Sequence, residues 1–202
     1  MRYHRRVLPL SILLLAGAGC ATLQQIAALR QVDFSLAGTR NARLAGVDLS
    51  RIRSYRDLSA VDIGRIGLAV ARKDLPLEFQ LDVRGENPAD NSVTATMVRL
   101  AWSLFLNDKE TISGTLDTTL AFPPGRPTTF PLRMRLNLVQ FFDGPAESLV
   151  DLAASVAGLS SDPTRISLRA VPTIDTPLGR ISYPTPITIA SRTIGGAPAR
   201  SP

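Results

Sequence analysis

From residue 77 to residue 189 the apolar positions of this chain recur with a period of two. Leu77, Phe79, Leu81 and Val83 alternate with Glu78, Gln80, Asp82 and Arg84, a pattern that buries one face of a strand and wets the other. The same alternation returns in Val98, Leu100, Trp102, Leu104 and Leu106, then in Leu116, Leu120 and Phe122, and in Phe130, Leu132, Met134 and Leu136. Ile166, Leu168 and Ala170 form a further run, and Ile181, Tyr183, Ile187 and Ile189 the last. Strands at such short spacings predict a mainly β chain folded as an antiparallel sandwich.

The joints carry turn chemistry. Asn107-Asp108-Lys109-Glu110 can turn one strand directly into the next, and Pro123-Pro124-Gly125 ends another. Thr176-Pro177-Leu178-Gly179 places proline and glycine at the second and fourth positions of a type I turn. Two stretches change to helical spacing. Ser59 can cap a helix with Ile63, Ile66 and Val70 on one face. Gly144-Pro145-Ala146 opens another, with Leu149, Leu152, Ala153 and Val156 along one side and Gly158 at its end, placed to cover a face or open end of the sandwich.

Ahead of the alternating region, residues 32–74 read as an N-terminal extension of short strands plus the Ser59-capped helix. Val32 to Leu36 and Arg43 to Leu49 are expected as strands around a Gly38-Thr39-Arg40-Asn41 turn. Residues 20–31 are read as a tether, because the eleven residues from Ala21 are marginal as an isolated helix, and residues 190–202 as a disordered tail.

Residues 1–19 have another character. Arg2, Arg5 and Arg6 precede an apolar stretch from Val7 to Ala16, followed by Gly17-Ala18-Gly19 and Cys20. This is the layout of a secretory signal, and it falls short of the roughly 20 apolar residues that span a bilayer. At Cys20 the segment resembles the lipobox of bacterial lipoproteins, although Gly17 stands where leucine is usual. The resemblance implies cleavage between Gly19 and Cys20, lipidation of the Cys20 thiol and stable anchoring once a second acyl group is added. Ala21, rather than aspartate, after the cysteine implies an outer-membrane destination facing the periplasm. The alternative is an ordinary small-x-small cleavage at Ala16-Gly17-Ala18, which would release a soluble protein with a free thiol.

Composition narrows the chemistry. Of the formal net charge of +6, three charges belong to Arg2, Arg5 and Arg6, so the chain beyond the signal retains +3. No dense basic run interleaved with aromatics appears, so no nucleic-acid partner is expected. His4 and Cys20 are the only histidine and cysteine. The folded part therefore lacks the commonest general base, a thiolate nucleophile and the usual ligands of zinc or copper. No metal, no cofactor and no catalytic residues are expected.

The order of Leu77 to Val83, Asn87-Pro88, Leu104-Phe105-Leu106-Asn107, Gly114, Phe122-Pro123-Pro124-Gly125 and Asp175-Thr176-Pro177-Leu178-Gly179 resembles the late embryogenesis abundant type 2 family, whose domain is also called the water stress and hypersensitive response (WHy) domain. The likeness runs over residues 75–189. It implies an immunoglobulin- or fibronectin-like antiparallel β-sandwich with one or two short helices, linked to desiccation and other stress, and it brings no catalytic residues. Asn87, Pro88, Asp175, Thr176, Pro177, Leu178 and Gly179 are then structural marks: Pro88 cannot donate to a ladder, and the Asn87 amide can tie the turn.

Surface candidates are few. Arg133 and Arg135 share a strand face and can meet lipid phosphates or an anionic polymer, or simply solvate that face. Glu78 and Asp82 likewise share a face, the arrangement that glycoside chemistry uses, though alternate acids on a strand are ordinarily solvation. Trp102 follows the core alternation, and Gly64-Arg65-Ile66-Gly67 lacks the context of a dinucleotide fingerprint. Phe105 falls on the polar side with Arg99 and Ser103, either under the helix near 144–157 or in a contact patch. The expectation is a non-enzymatic envelope lipoprotein held to a membrane by its N-terminal lipid. The alternative is an accessory or carrier protein for an apolar ligand or an unidentified envelope partner.

Overall fold

The computed structural model describes residues 24, 26–142, 145–159, 164–176 and 179–194. Eleven strands alternate with short helical segments among them: β1 (Asp33–Leu44), β2 (Val47–Asp48), β3 (Pro76–Glu86), β4 (Ala95–Met97), β5 (Arg99–Leu106), β6 (Lys109–Leu116), β7 (Leu120–Phe122), β8 (Thr128–Asn137), β9 (Thr164–Thr176), β10 (Gly179–Ser182) and β11 (Ile187–Ile194). The helices are α1 (residues 26–31), α2 (Ala60–Ala71), α3 (Leu138–Phe141) and α4 (Ala146–Val156), with a 3-10 turn at Tyr55–Asp57. Four short helices thus stand where one or two were expected, because docking supplies stability that isolated short helices lack.

Two antiparallel sheets form the body. One has the order β2-β1-β3-β8, and the other runs β10-β9-β5-β6 with β11 also on β9. Between them lie the inward residues of the alternation: Leu77, Leu81 and Val83 from β3, Leu100, Leu104 and Leu106 from β5, Leu132 and Leu136 from β8, and Ile166 and Leu168 from β9, all buried. The antiparallel sandwich read from the sequence is therefore the fold.

Its boundaries differ from those read in the sequence. The stretch from 38 to 41 is no turn, since β1 continues through it and pairs with β3 from Asp33↔Glu86 to Leu44↔Leu77. Register shifts at Leu36/Gly38 and Arg40/Arg43, with Asn41 at φ 56°, absorb the extra residues as bulges. The reversal falls at Ala45 and Gly46, both at positive φ, which is the geometry of a two-residue hairpin. β1 and β2 are accordingly members of the first sheet, while the chain from 49 to 74 adds the 3-10 turn and α2. At the other end β11 pairs with β9 as far as Ile194↔Thr164, so 190–194 is strand; residues 195–202 lie outside the described residues.

Leu116, Leu120 and Phe122 do not share one strand. β6 ends at Leu116, and β7 instead pairs with β4 as a separate ribbon, Ala95↔Phe122 to Met97↔Leu120. The tether reading also changes: the described residues of 24–31 are helical, with Ala28 and Leu29 only 2% and 1% exposed.

The capped helix begins as expected, the Ser59 hydroxyl accepting from the Asp62 amide at 3.2 Å. Lys73 at φ 55° closes it, the Asp74 amide reaching back to the Ala69 carbonyl at 3.0 Å. Of its predicted apolar face only Ile66 is fully buried, while Val61 and Leu68 are 71% and 52% exposed. α4 buries Leu149, Val150, Ala153 and Val156, and is tied to the 3-10 turn by the Tyr55 amide donating to Asp151 Oδ1 at 3.0 Å. It packs against β9, β1 and α2.

Candidate functional site

The Asn87-Pro88 mark lies where β3 leaves the first sheet. Asn87 is fully buried, and its Nδ2 donates to the Val93 carbonyl at 3.0 Å and to the Phe122 carbonyl at 2.8 Å. Its Oδ1 accepts from Asn91 Nδ2 at 2.8 Å, and its own carbonyl accepts from the Gly125 amide at 2.9 Å. One amide side chain thereby closes the 88–94 loop onto the Pro123-Pro124-Gly125 turn. With its donors and acceptor engaged inside the protein, Asn87 has no polar capacity aimed at a ligand, and its role is structural. Asn91 was not legible as its partner, although the spacing of four in a short polar loop is the signal that could have found it.

Phe122 sits beneath this knot. Its ring meets Phe34 edge-on at 5.5 Å and Phe130 at 6.3 Å between centroids. A Cβ on Gly85 would come within 2.5 Å of it, so β3 needs glycine there for the ring to lie against its backbone.

The second mark is the β9–β10 hairpin, with Asp175 opposite Arg180 and Thr176 opposite Gly179. Thr176 Oγ1 donates to the Gly179 carbonyl at 2.7 Å, and Gly179 takes φ 108°, a conformation that favours glycine. Pro177 and Leu178 lie outside the described residues.

Arg133 and Arg135 both point outward from β8, as expected. Arg135 Nη1 lies 3.0 Å from Glu78 Oε1 across the β3–β8 register, and Arg133 stands opposite Gln80. On the same face Arg40 Nε contacts Asp82 Oδ2 at 2.5 Å, and Gln80 donates to Asp82 at 2.8 Å. The Arg40 hydrogen bond, backed by that of Gln80, holds the Asp82 carboxyl below the usual carboxylate range against an opposing effect of burial. A general acid needs a raised pKa, and Asp82 shifts the other way. Each acid is instead matched to an arginine.

On the second sheet Trp102 faces inward, 9% exposed, its indole laid over Gly114. Phe105 faces outward from β5, and its ring lies 4.4 Å from the Arg169 guanidinium. The pair sits in a shallow concavity of about 480 Å³ whose walls include Ala101, Ser103, Ser113 and Pro186. Phe105 therefore belongs to a surface patch; α4, its other expected neighbour, packs elsewhere.

Gly19 and Cys20 lie outside the described residues. Close after them, however, the chain is fastened, for the Tyr183 hydroxyl donates to the Ile26 carbonyl at 2.7 Å. Burial pushes the Tyr183 phenol pKa up, and Arg30 opposes this more weakly. Tyr183 follows the strand alternation, so its sequence announced a core residue without announcing this bond. Among the described residues no helix is long and apolar enough to cross a membrane, and no three acidic, histidine or cysteine side chains gather as a metal site would require.

No family model and no curated protein matches this chain. A crystal structure of a protein from Archaeoglobus fulgidus is similar to it at 14% identity and a TM-score of 0.33, over 78% of this chain and 96% of that one. The solution structure of a protein from Arabidopsis thaliana is similar at 15% identity and a TM-score of 0.36, over 63% and 76%. The chain is also a structural neighbour, at 12% identity and a TM-score of 0.36, of a putative late embryogenesis abundant (LEA) protein studied in solution, over 97% of this chain and 95% of that one.

Proposed function

We propose that this protein is a non-enzymatic envelope lipoprotein: a folded late embryogenesis abundant type 2 (WHy) domain held by lipidated Cys20 at the periplasmic face of the outer membrane, where it protects or binds during drying and related stress. One observation carries the reading. The only cysteine of the chain stands directly after a cationic, apolar and small-residue leader, and six residues before a segment packed on a β body. The only cysteine of a chain can make no intrachain disulfide, and a thioether to diacylglycerol is a chemistry that uses it.

The non-enzymatic part rests on what the acids do. Asp82 and Glu78 are each committed to an arginine, and histidine and cysteine do not occur after Cys20. The stress-related part rests on the ordered family marks, of which Asn87 builds a turn as a structural mark should. Under α4 Leu149, Val150, Ala153 and Val156 are buried, while a concavity of about 330 Å³ lies beside its C-terminal end, between Ala157 and Leu159 and residues Thr39 to Ala42 of β1; a carrier of an apolar ligand is the second reading.

Mass spectrometry of the protein extracted from membranes tests the anchor. The expected N-terminus is acylated, diacylglyceryl Cys20; a chain beginning at Gly19 with a bare thiol overturns it. A deletion strain is expected to lose viability on drying or osmotic shock, and survival equal to its parent would overturn the protective role.

A further inference from the structure

We propose that the sandwich stands on the bilayer by one defined pole, the one built from α1, Tyr183, the Asn87 knot and the β9–β10 hairpin, with α2 and α4 at the pole turned away. The lipid surface is the partner of the first pole, and the inference rests on the lipidation of Cys20 proposed above.

Five residues separate Cys20 from Ile26, so six steps of chain join them. Fully extended they reach at most about 20–22 Å, and the helical residues among 24–31 shorten that reach. Ile26 itself is fixed by Tyr183, and Ala28 and Leu29 are buried. Whatever holds Cys20 therefore holds this part of the body too.

Strand registers say which pole that is. β1 starts beside Glu86 and ends beside Leu77, so α1, which leads into it, lies at the Glu86 end of the first sheet. Tyr183 agrees, since its amide donates to the Pro172 carbonyl, and Pro172 pairs with Leu100 near the start of β5. α2 belongs to the opposite end, where Asn137 Nδ2 donates to the Lys73 carbonyl and Asn137 Oδ1 accepts from the Leu75 amide. The poles are separated by the length of β3, whose 11 residues span about 33–36 Å. Inverting the body would lift Ile26 farther from the bilayer than the link can stretch. The exposed Val61 and Leu68 of α2 consequently face away from the lipid.

Charge contributes little to this stance. At the proximal pole Arg84 pairs with Glu86 at 2.9 Å and Arg99 with Asp117 at 3.2 Å, and Arg30, Arg126 and Arg180 are offset in number by Asp33, Asp90 and Asp175, so orientation comes from the link and persists in high salt.

The test uses the full-length lipidated protein in phosphatidylethanolamine and phosphatidylglycerol vesicles. Asp90→Cys and Arg126→Cys report the proximal pole from two different exposed loops, and Arg65→Cys reports α2. Each added thiol carries a fluorophore, and energy transfer to a headgroup acceptor is measured. At least about twofold stronger transfer is expected from both proximal sites than from Arg65→Cys, at low and high salt alike. Equal or reversed transfer in protein that floats with the vesicles overturns the orientation and leaves the anchor standing. Protein that does not float overturns the anchor reading and this inference with it. Inserting about 20 Gly and Ser residues after Ala21 is expected to erase the difference, and a difference that survives insertion overturns the short link as its cause.

Discussion

Asn87 Nδ2 donates to the carbonyl of Phe122 at 2.8 Å, across 35 residues of chain. This bond joins the end of β3 to the β4–β7 ribbon, and it lies in the protein interior where no water replaces it. Asn87→Ala strands the Val93 and Phe122 carbonyls together, and unpaired buried polar groups are costly. The expected loss is about 2–4 kcal/mol of unfolding free energy, read as a lower urea midpoint. Asn91→Ala removes the bond to Asn87 Oδ1 and the longer one, at 3.3 Å, that Asn91 Oδ1 accepts from the Val93 amide, and should cost about 1–2 kcal/mol.

Gly114 offers a steric test of the second sheet. Its Cβ would fall 2.5 Å from Trp102 Cζ2, and the indole must move to admit it. Gly114→Ala should destabilise by about 1–3 kcal/mol, with altered tryptophan fluorescence. Gly38→Ala, with nothing within 4 Å of the added Cβ, is the matched control and should leave both readings near the parent's.

The Thr39 hydroxyl is buried without a hydrogen-bond partner. Valine keeps the shape, removes the unpaired group and suits a strand. Thr39→Val should raise stability by about 1 kcal/mol in thermal or urea melts.

Acid stability reports on Asp82. Its folded pKa is depressed by Arg40 and Gln80, so the folded state gains stability above the unfolded carboxyl value of about 4 and loses it as pH falls through the lower folded value. Urea midpoints followed downward from pH 5 should fall over that window. Arg40→Met removes the main cause of the shift, and the acid decline should become shallower. An unchanged acid limb would show that the pair adds nothing measurable.

Much of the sandwich was legible because its determinants are local. Alternation in β3, β5 and β8 states which side of each strand is buried whatever the partner, and Asn107-Asp108, at φ 47° and 63°, makes the two-residue reversal from Leu106 to Lys109 that its residue types favour. Asn87 could be read as a structural amide from Pro88 beside it. What escaped were features set by distant partners. The 38–41 stretch carries turn residues, yet β3 pairs on both sides of it, and a bulge preserves more hydrogen bonds than a reversal would.

Sequence alone therefore determined most of the strand-forming segments, their buried faces and the Asn107-Asp108 turn, since each depends on covalent geometry and neighbouring side chains. Tertiary structure decided that residues 26–31 dock rather than dangle, that β7 leaves β6 for β4, and that Arg40 takes Asp82. The physical reason is that a short helix, a three-residue strand or an ion pair gains too little by itself to order the chain, and forms where the assembled sheets have already met that entropy cost.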